Sequence, residues 1–253
     1  MRNPILALAL LGLIASPSFA REETTEHVTQ TLKLEPGGTL RLKSFSGAIH
    51  LTASDRPEVV IDAVRHGTRE RLDRIKLRIY TEGANRVVVD ANTREHSWFE
   101  FSGRDNVVRT DFEITVPRRT NLDLSVFSAP VTVAGVEGSF KAHGFSSRLE
   151  FDNVAGPIQA HTFSGAIVIR EKTWARDQTI DVDTFSGNVE LRLPDDARGD
   201  VSFNSFSGHL NSDRPLVLRS GNRRSMRAEL GNAGDGGGRL RFKTFSGSVR
   251  IDR

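Results

Sequence analysis

The stretch Asp183-Thr184-Phe185-Ser186-Gly187-Asn188-Val189 contains the pattern that decides the fold. Its Phe-Ser-Gly triplet is a turn signal, because glycine adopts backbone conformations that other residues avoid. Apolar residues alternate with polar ones on both sides of the triplet, as at Val182 before it and Leu191 after it. Alternation with a period of two is typical of strands that bury one face. The stretch therefore predicts a strand, a tight turn and a second strand.

The same unit recurs along the chain. Seven of the fifteen phenylalanines precede a serine and have similar flanking residues. These phenylalanines, called the Phe column below, are Phe45, Phe127, Phe145, Phe163, Phe185, Phe206 and Phe245. From the second onward they are spaced by 18, 18, 22, 21 and 39 residues, and the last gap is close to two periods with one degraded copy. A period near twenty residues is typical of one coil of a solenoid, whose repeats bury their apolar faces by stacking.

We therefore predict an all-β, single-domain β-solenoid (β-helix-like) of 18–22-residue coils with an N-terminal strand-rich capping segment. Residues 118–253 form the regular repeats. Residues 31–117 form a less regular part, because 82 residues separate the first two phenylalanines of the column. A short helix is expected near Thr68 to Ile75, and very little helix elsewhere.

Residues 1–20 have the features of a secretory signal peptide. Arg2 precedes an apolar run from Ile5 to Ala15, and small residues flank Phe19 at the expected cleavage site after Ala20. Residues 21–30 are expected to be a short lead into the repeat domain. No other stretch approaches the ~20 apolar residues that span a bilayer, so we expect no transmembrane anchor. The predicted location is exported, either periplasmic or at the cell surface.

Composition excludes several kinds of chemistry. The chain has no cysteine, which rules out disulfides, thiolate metal sites, a cysteine nucleophile and a lipidated cysteine. Its 35 basic and 32 acidic residues are too evenly balanced for a nucleic-acid-binding protein. A basic cluster at residues 219–224 is interpreted as a solvated loop, with a phosphate or anionic-lipid contact as the alternative.

With these repeats the chain resembles the putative-adhesin domain-of-unknown-function family of bacteria. The resemblance covers roughly Thr31 to Asp252 and includes Val116-Pro117 before the main array, Leu191-Arg192-Leu193-Pro194 after a Ser-Gly turn, and glycines before Ser246-Gly247. It implies an adhesin-like β-repeat domain at residues 31–253, with a β-solenoid-like fold and an envelope location. The family has no catalytic residues to transfer. This chain departs from it by placing Phe before nearly every turn serine, where relatives carry a smaller aliphatic residue.

The Phe column lies on the polar face of the predicted strands. Side chains two residues apart in a strand share a face, so Phe185 lies on the same face as Asp183, and Phe45 on the same face as Lys43. The opposite face carries core residues such as Leu40 and Leu122. Two interpretations compete. The favoured one is that the column is buried, because the turn or a bulge rotates each Phe inward or the N-terminal segment folds over it; burial would contribute about 1.5–3 kcal/mol per side chain. The alternative is an open apolar groove that binds a lipid, a glycan or a partner strand.

Two pairs of polar residues are candidates for chemistry. His143 and His161 each precede a column Phe by two residues and should lie side by side, but no third ligand recurs with suitable spacing, so we expect no metal. Asp181 and Asp183 share a face, as carboxylates do in β-helix enzymes that act on polysaccharides. Glycoside hydrolysis needs two carboxyls at a set separation in a cleft, and the acids here are scattered.

An aromatic cluster at Trp98, Phe99 and Phe101 is expected to cap an open end or rim a pocket.

We therefore predict a non-catalytic binding, scaffolding or adhesion-like module, with no cofactor. The candidate binding surface is the Phe column together with His143 and His161. An envelope protein, a glycan or a lipid is the expected partner, and self-association through open strand edges is possible. The alternatives are a carbohydrate-active β-helix enzyme and a carrier of an apolar ligand along the column.

Overall fold

The computed structural model describes residues 23–94, 107–231 and 237–252. In these ranges the chain is all-β, with the single short helix α1 (Arg69–Arg74), and its strands form one sheet of ten strands and one of eleven. The predicted signal peptide and the aromatic cluster at Trp98, Phe99 and Phe101 lie outside the described residues. The all-β prediction is confirmed.

The strands are named in chain order. Those before the main repeats are β1 (Thr24–Lys33), β2 (Gly38–Ser46), β3 (Ile49–Ser54), β4 (Glu58–Gly67), β5 (Ile75–Thr81), β6 (Arg86–Arg94) and β7 (Arg109–Pro117). The repeats contribute β8 (Thr120–Ser128), β9 (Val131–Ala134), β10 (Phe140–Ser146), β11 (Leu149–Val154), β12 (Ile158–Ser164), β13 (Ile167–Glu171), β14 (Thr179–Ser186) and β15 (Val189–Arg192). The remaining strands are β16 (Gly199–Ser205), β17 (Leu210–Ser212), β18 (Leu216–Gly221), β19 (Ser225–Leu230), β20 (Gly238–Thr244) and β21 (Val249–Asp252).

From β8 to β15 the chain alternates between the two sheets. The even-numbered strands belong to the eleven-stranded sheet and the odd-numbered strands to the ten-stranded sheet. Corresponding strands pair in parallel and in register, so that Phe140 lies opposite Ile158 and Leu149 lies opposite Ile167. Each Phe-Ser-Gly unit stands where the chain leaves one sheet for the other. The predicted strand, turn and strand are therefore confirmed for these units.

The N-terminal segment continues the same arrangement. Strand β2 pairs in parallel with β8, and β3 with β9, so that the turn after Phe45 lies beside the turn after Phe127. The intervening residues form β4 and β7, which pair antiparallel, and α1 with β5 and β6. The predicted helix is confirmed, and the Thr68 hydroxyl caps it by accepting a hydrogen bond from the Arg71 N–H. Residues 21–30, expected only as a lead, contribute most of β1, which pairs with β4 along its whole length.

The C-terminal repeats depart from sequential order. In the eleven-stranded sheet the order is β18-β19-β16-β20-β14, so β20 lies between β14 and β16. Strand β19 covers the outer edge of β16 in an antiparallel pair, which leaves the edge facing β14 for β20. The 39-residue gap therefore holds the β18–β19 hairpin, and the expectation of a degraded repeat there was wrong.

The core lies between the inner faces of the sheets. Leu40 and Leu122, which were predicted on the inner face, are almost fully buried, and so are Phe203 and Phe242. Burial of each contributes about 1.5–3 kcal/mol, and with no cysteine in the chain this is the main source of stability.

The repeated turn glycine has two reasons to be glycine. Gly47 and Gly165 have φ angles of 108° and 136°, in the region that favours glycine. At the other positions the chain above comes too close for a side chain. A Cβ on Gly187 would lie 2.0 Å from the Gly165 carbonyl oxygen, and one on Gly247 would lie 1.8 Å from the Gly187 carbonyl oxygen. Close stacking of neighbouring turns therefore explains the glycine at more of these positions than a positive φ does.

Candidate functional site

The Phe column is exposed. Its seven side chains have relative exposures between 39% and 63%, so the favoured expectation that they are buried was wrong. Each ring remains on the outer face of its strand and packs against the ring of the neighbouring strand. Ring centroids are 4.4 to 5.0 Å apart and ring planes are within 13° of parallel. The rings thus cover one another's faces and leave their edges to solvent.

The column is continuous across seven neighbouring strands of the eleven-stranded sheet, from β2 to β16. Its order in space is Phe45, Phe127, Phe145, Phe163, Phe185, Phe245 and Phe206, which reflects the insertion of β20 between β14 and β16. Seven rings at the spacing of neighbouring strands make a stack roughly 30 Å long.

A ladder of polar side chains runs parallel to the column, two residues earlier in each strand. In spatial order it consists of Lys43, Ser125, His143, His161, Asp183, Lys243 and Asn204. Between column and ladder lie residues whose side chains point inward, such as the buried Thr162, Thr184 and Thr244. The Thr162 hydroxyl donates to the Thr184 hydroxyl at 3.1 Å, so these groups are satisfied inside the protein.

Column and ladder enclose a groove on the outer face of the eleven-stranded sheet. One part, of about 690 Å³, extends from Phe163 to Phe206, and a second, of about 480 Å³, extends from Phe45 to Phe145. The two parts share His143 and Gly144 in their walls. The candidate binding residues from the sequence, including both histidines, therefore lie on one continuous surface.

The two histidines stack instead of converging on a common point. The imidazole centroids of His143 and His161 are 5.1 Å apart, with ring planes 8° from parallel. Desolvation, with the charges of His161 and Lys141 adding to it, lowers the pKa of His143 below its ordinary value, while Asp123 opposes the shift. Across residues 23–94, 107–231 and 237–252, no cluster of three or more His, Asp or Glu side chains is arranged to hold a metal ion.

Three acidic residues of this face are paired with basic residues. Asp181 lies 3.5 Å from Arg241, and Asp183 lies 3.6 Å from Lys243. Asp123 pairs with Arg41 at 3.0 Å. Lys141 lies opposite Asp123 in the register of β8 and β10 without forming an ion pair with it.

The two ends of the groove differ in charge. At the Phe206 end, the Arg224 guanidinium lies over the Phe206 ring, 6.0 Å from its centroid. At the Phe45 end, Lys43 lies opposite Asp90 in the register of β2 and β6. Sequence reasoning identified Lys43 but missed Arg224 as part of this surface. Its only signal was the basic cluster at residues 219–224, and the β18–β19 hairpin that carries Arg224 to the column was not predicted.

Comparison with known proteins supports the fold. No protein-family model and no curated protein matches the chain. Among solved structures, the chain is similar to a putative cell adhesion protein from Clostridium sporogenes, with a TM-score of 0.50 and 10% identity over 90% of this chain and 99% of that one. A putative adhesin from Bacteroides fragilis has a TM-score of 0.40 and 9% identity over 89% and 97% of the two chains. A putative lipid binding protein from Parabacteroides distasonis has a TM-score of 0.31 and 11% identity over 90% and 96%. At 10% identity the similarity to the Clostridium protein shows the all-β fold alone, and nothing is inferred from the two structures with lower TM-scores.

Proposed function

We propose that this chain is a non-catalytic binding module of the bacterial cell envelope, which binds its partner through the Phe column and the groove beside it. One observation carries the proposal: seven large apolar side chains form a continuous row on the outside of the protein. Contiguous exposed apolar surface is costly to keep in water and usually marks a binding site.

The regular β-solenoid is part of this proposal. Alternation of successive strands between two sheets and parallel pairing in register support it. In such a fold each coil adds one phenylalanine and one polar residue to the same surface. A repeat of this kind makes a long binding surface, as solenoid proteins commonly do.

The absence of catalysis is also proposed, and two features of the groove favour it. Asp181 and Asp183, the acids that resemble a catalytic pair, each lie next to a basic side chain of β20. The turn serines recur too regularly to include one activated nucleophile.

Export to the envelope is proposed from the N-terminal sequence. Arg2, the apolar run and the small residues near Ala20 form a secretory signal. Among the described residues α1 is the longest helix, and it has neither the length nor the hydrophobicity to cross a membrane.

A dye titration tests the proposed function. Nile red, a neutral dye that fluoresces in apolar surroundings, is titrated against the wild type and Phe163→Ser. The matched control is Leu218→Ser, which removes an apolar side chain of 58% exposure on β18, away from the column. We expect Phe163→Ser to weaken dye binding and Leu218→Ser to leave it unchanged, with circular dichroism confirming that both fold. Absence of binding to the wild type, or equal losses in the two variants, would overturn the proposal.

A further inference from the structure

The orientation of the rings restricts what the column can bind. Phe127 and Phe145 are 4.7 Å apart with planes 3° from parallel, and the other pairs are similar. Each inner ring is therefore covered on both faces, and only ring edges face the groove. Cations and sugar rings bind aromatic residues over the open face, which the inner rings do not offer. A row of ring edges instead presents hydrocarbon surface, whose attraction for other hydrocarbon is non-directional.

The shape of the surface suits a chain molecule. The column is roughly 30 Å long. A bilayer core of about that thickness is spanned by two acyl chains end to end, so one acyl chain fits along the column with room to spare. Each part of the groove has a volume in the range of small-molecule sites, about 300–1,000 Å³.

The charges at the ends of the groove determine the direction of such a chain. Arg223 and Arg224 form no ion pair within the described residues, and Arg224 lies over the terminal ring, Phe206. Lys243, the nearest basic residue of the ladder, is already paired with Asp183. At the opposite end Lys43 lies opposite Asp90 in the register of β2 and β6. Of these two end residues, only Lys43 therefore has an acidic residue opposite it in the strand register.

We propose that the groove binds a single-chain anionic amphiphile of the fatty-acid class. Its hydrocarbon chain lies along the Phe column, and its carboxylate lies at Arg224. This inference rests on the proposed function and adds to it the chemical class and the direction of the ligand.

Other occupants fit the observations less well. A partner strand binds through unpaired backbone groups at a sheet edge, but the column lies on the face of the eleven-stranded sheet. A second copy of this chain would cover the polar ladder as well, and would remove Lys43, Asp183 and Lys243 from water.

Calorimetric titration with soluble amphiphiles tests the proposal. Laurate and dodecyltrimethylammonium have chains of equal length and opposite head charge, and decanoate is two methylenes shorter than laurate. Each is titrated below its critical micelle concentration into the wild type, Arg224→Gln and Lys43→Gln. We expect laurate to bind more tightly than dodecyltrimethylammonium, and about fourfold more tightly than decanoate if each methylene is half buried. Arg224→Gln should weaken laurate about two- to fivefold, the range of an exposed ion pair, and by more than Lys43→Gln does.

The outcomes separate this inference from the proposed function. Nile red binding that depends on Phe163, together with no binding of laurate or with equal binding of the two head groups, would overturn the fatty-acid inference and leave the binding surface intact. Equal effects of Arg224→Gln and Lys43→Gln would overturn the direction of the ligand. Light scattering that shows a wild-type dimer and a monomeric Phe163→Ser variant would assign the column to self-association instead.

Discussion

The rings of Phe163 and Phe185 stack with centroids 4.8 Å apart and planes 2° from parallel, although the two residues are 22 positions apart in the chain. The register of β12 and β14 imposes this geometry, because it places Thr162 opposite Thr184 immediately before the rings. Stacking hides the ring faces while the edges stay exposed. The column is thus ordered by its own contacts without being part of the core.

This arrangement predicts a small loss of stability when a column residue is truncated. Phe163→Ala should lower the free energy of unfolding by about 1–2 kcal/mol, since an aromatic pair contributes about 0.5–1.5 kcal/mol beyond area burial. Phe151→Ala, at a fully buried phenylalanine, should lower it by about 3–5 kcal/mol. Urea unfolding measures both. Equal losses would contradict an exposed column.

The close stacking of turns predicts that Gly187 cannot carry a side chain. Gly187→Ala would place a Cβ 2.0 Å from the Gly165 carbonyl oxygen, so backbone must shift, at a cost of about 1–3 kcal/mol or more. The control is Gly67→Ala, whose Cβ would be no closer than 3.6 Å to its neighbours. Thermal melts of the two variants should differ clearly, with only Gly187→Ala melting early. A wild-type melt for Gly187→Ala would show that the turns are not so tightly stacked.

Buried Arg65 connects three elements of the N-terminal segment. From β4 its guanidinium donates to the Glu26 carboxylate on β1 and to the carbonyl oxygens of Leu72 and Ile75 at the end of α1. Arg65→Met would leave the buried carbonyl acceptors without their donor, and should cost about 1–3 kcal/mol. Arg56→Met, which removes an exposed partner of Glu58, should cost at most about 1 kcal/mol.

Hydrogen exchange measures the effect of Arg65→Met locally, in β1 and α1. We expect faster exchange in these two elements in Arg65→Met and unchanged exchange in Arg56→Met. Unaltered protection of β1 and α1 in Arg65→Met would contradict the connecting role of Arg65.

Glu171 predicts a dependence of stability on pH. Burial raises its pKa from 4.5 to about 8, and the hydrogen bond that it accepts from Gln178 opposes the shift only in part. Between pH 4.5 and about pH 8, Glu171 keeps its proton in the folded protein but has lost it in the unfolded chain. The stability of the fold therefore falls as the pH rises through this range.

Glu171→Gln should remove this loss of stability. The difference in stability between the variant and wild type should therefore favour the variant more at pH 8 than at pH 5. The control is Glu190→Gln, a partly exposed position beside Arg192. Denaturant midpoints at the two pH values provide the test. A difference between wild type and Glu171→Gln that is the same at both values would exclude a raised pKa for Glu171.

Much of the fold could be predicted from the sequence because its signals are local. Alternation around Phe185 indicates strands, the Ser-Gly pair indicates a turn, and Thr68 before a charged stretch indicates the short helix. The C-terminal strand order could not be predicted, because the insertion of β20 between β14 and β16 depends on which sheet edges remain free after β19 has paired. That choice depends on contacts between distant residues.

The sequence predicted which face of the strands carries the candidate site, but not whether its side chains are buried. Alternation placed Phe45 on the same face as Lys43, and the structure confirms this. Whether the rings were buried depended on what covers that face, and a periodic pattern carries no such information. The contribution of Arg224 could not be found either, since it follows from the hairpin that folds back along β16.

The most direct test of the binding surface is hydroxyl-radical footprinting with mass spectrometry, without and with saturating Nile red. The account predicts that Phe145, Phe163 and Phe185 are oxidised in the free protein, that buried Phe151 is not, and that the dye protects the three column residues. Column phenylalanines as unreactive as Phe151, or equally oxidised with and without bound dye, would contradict it.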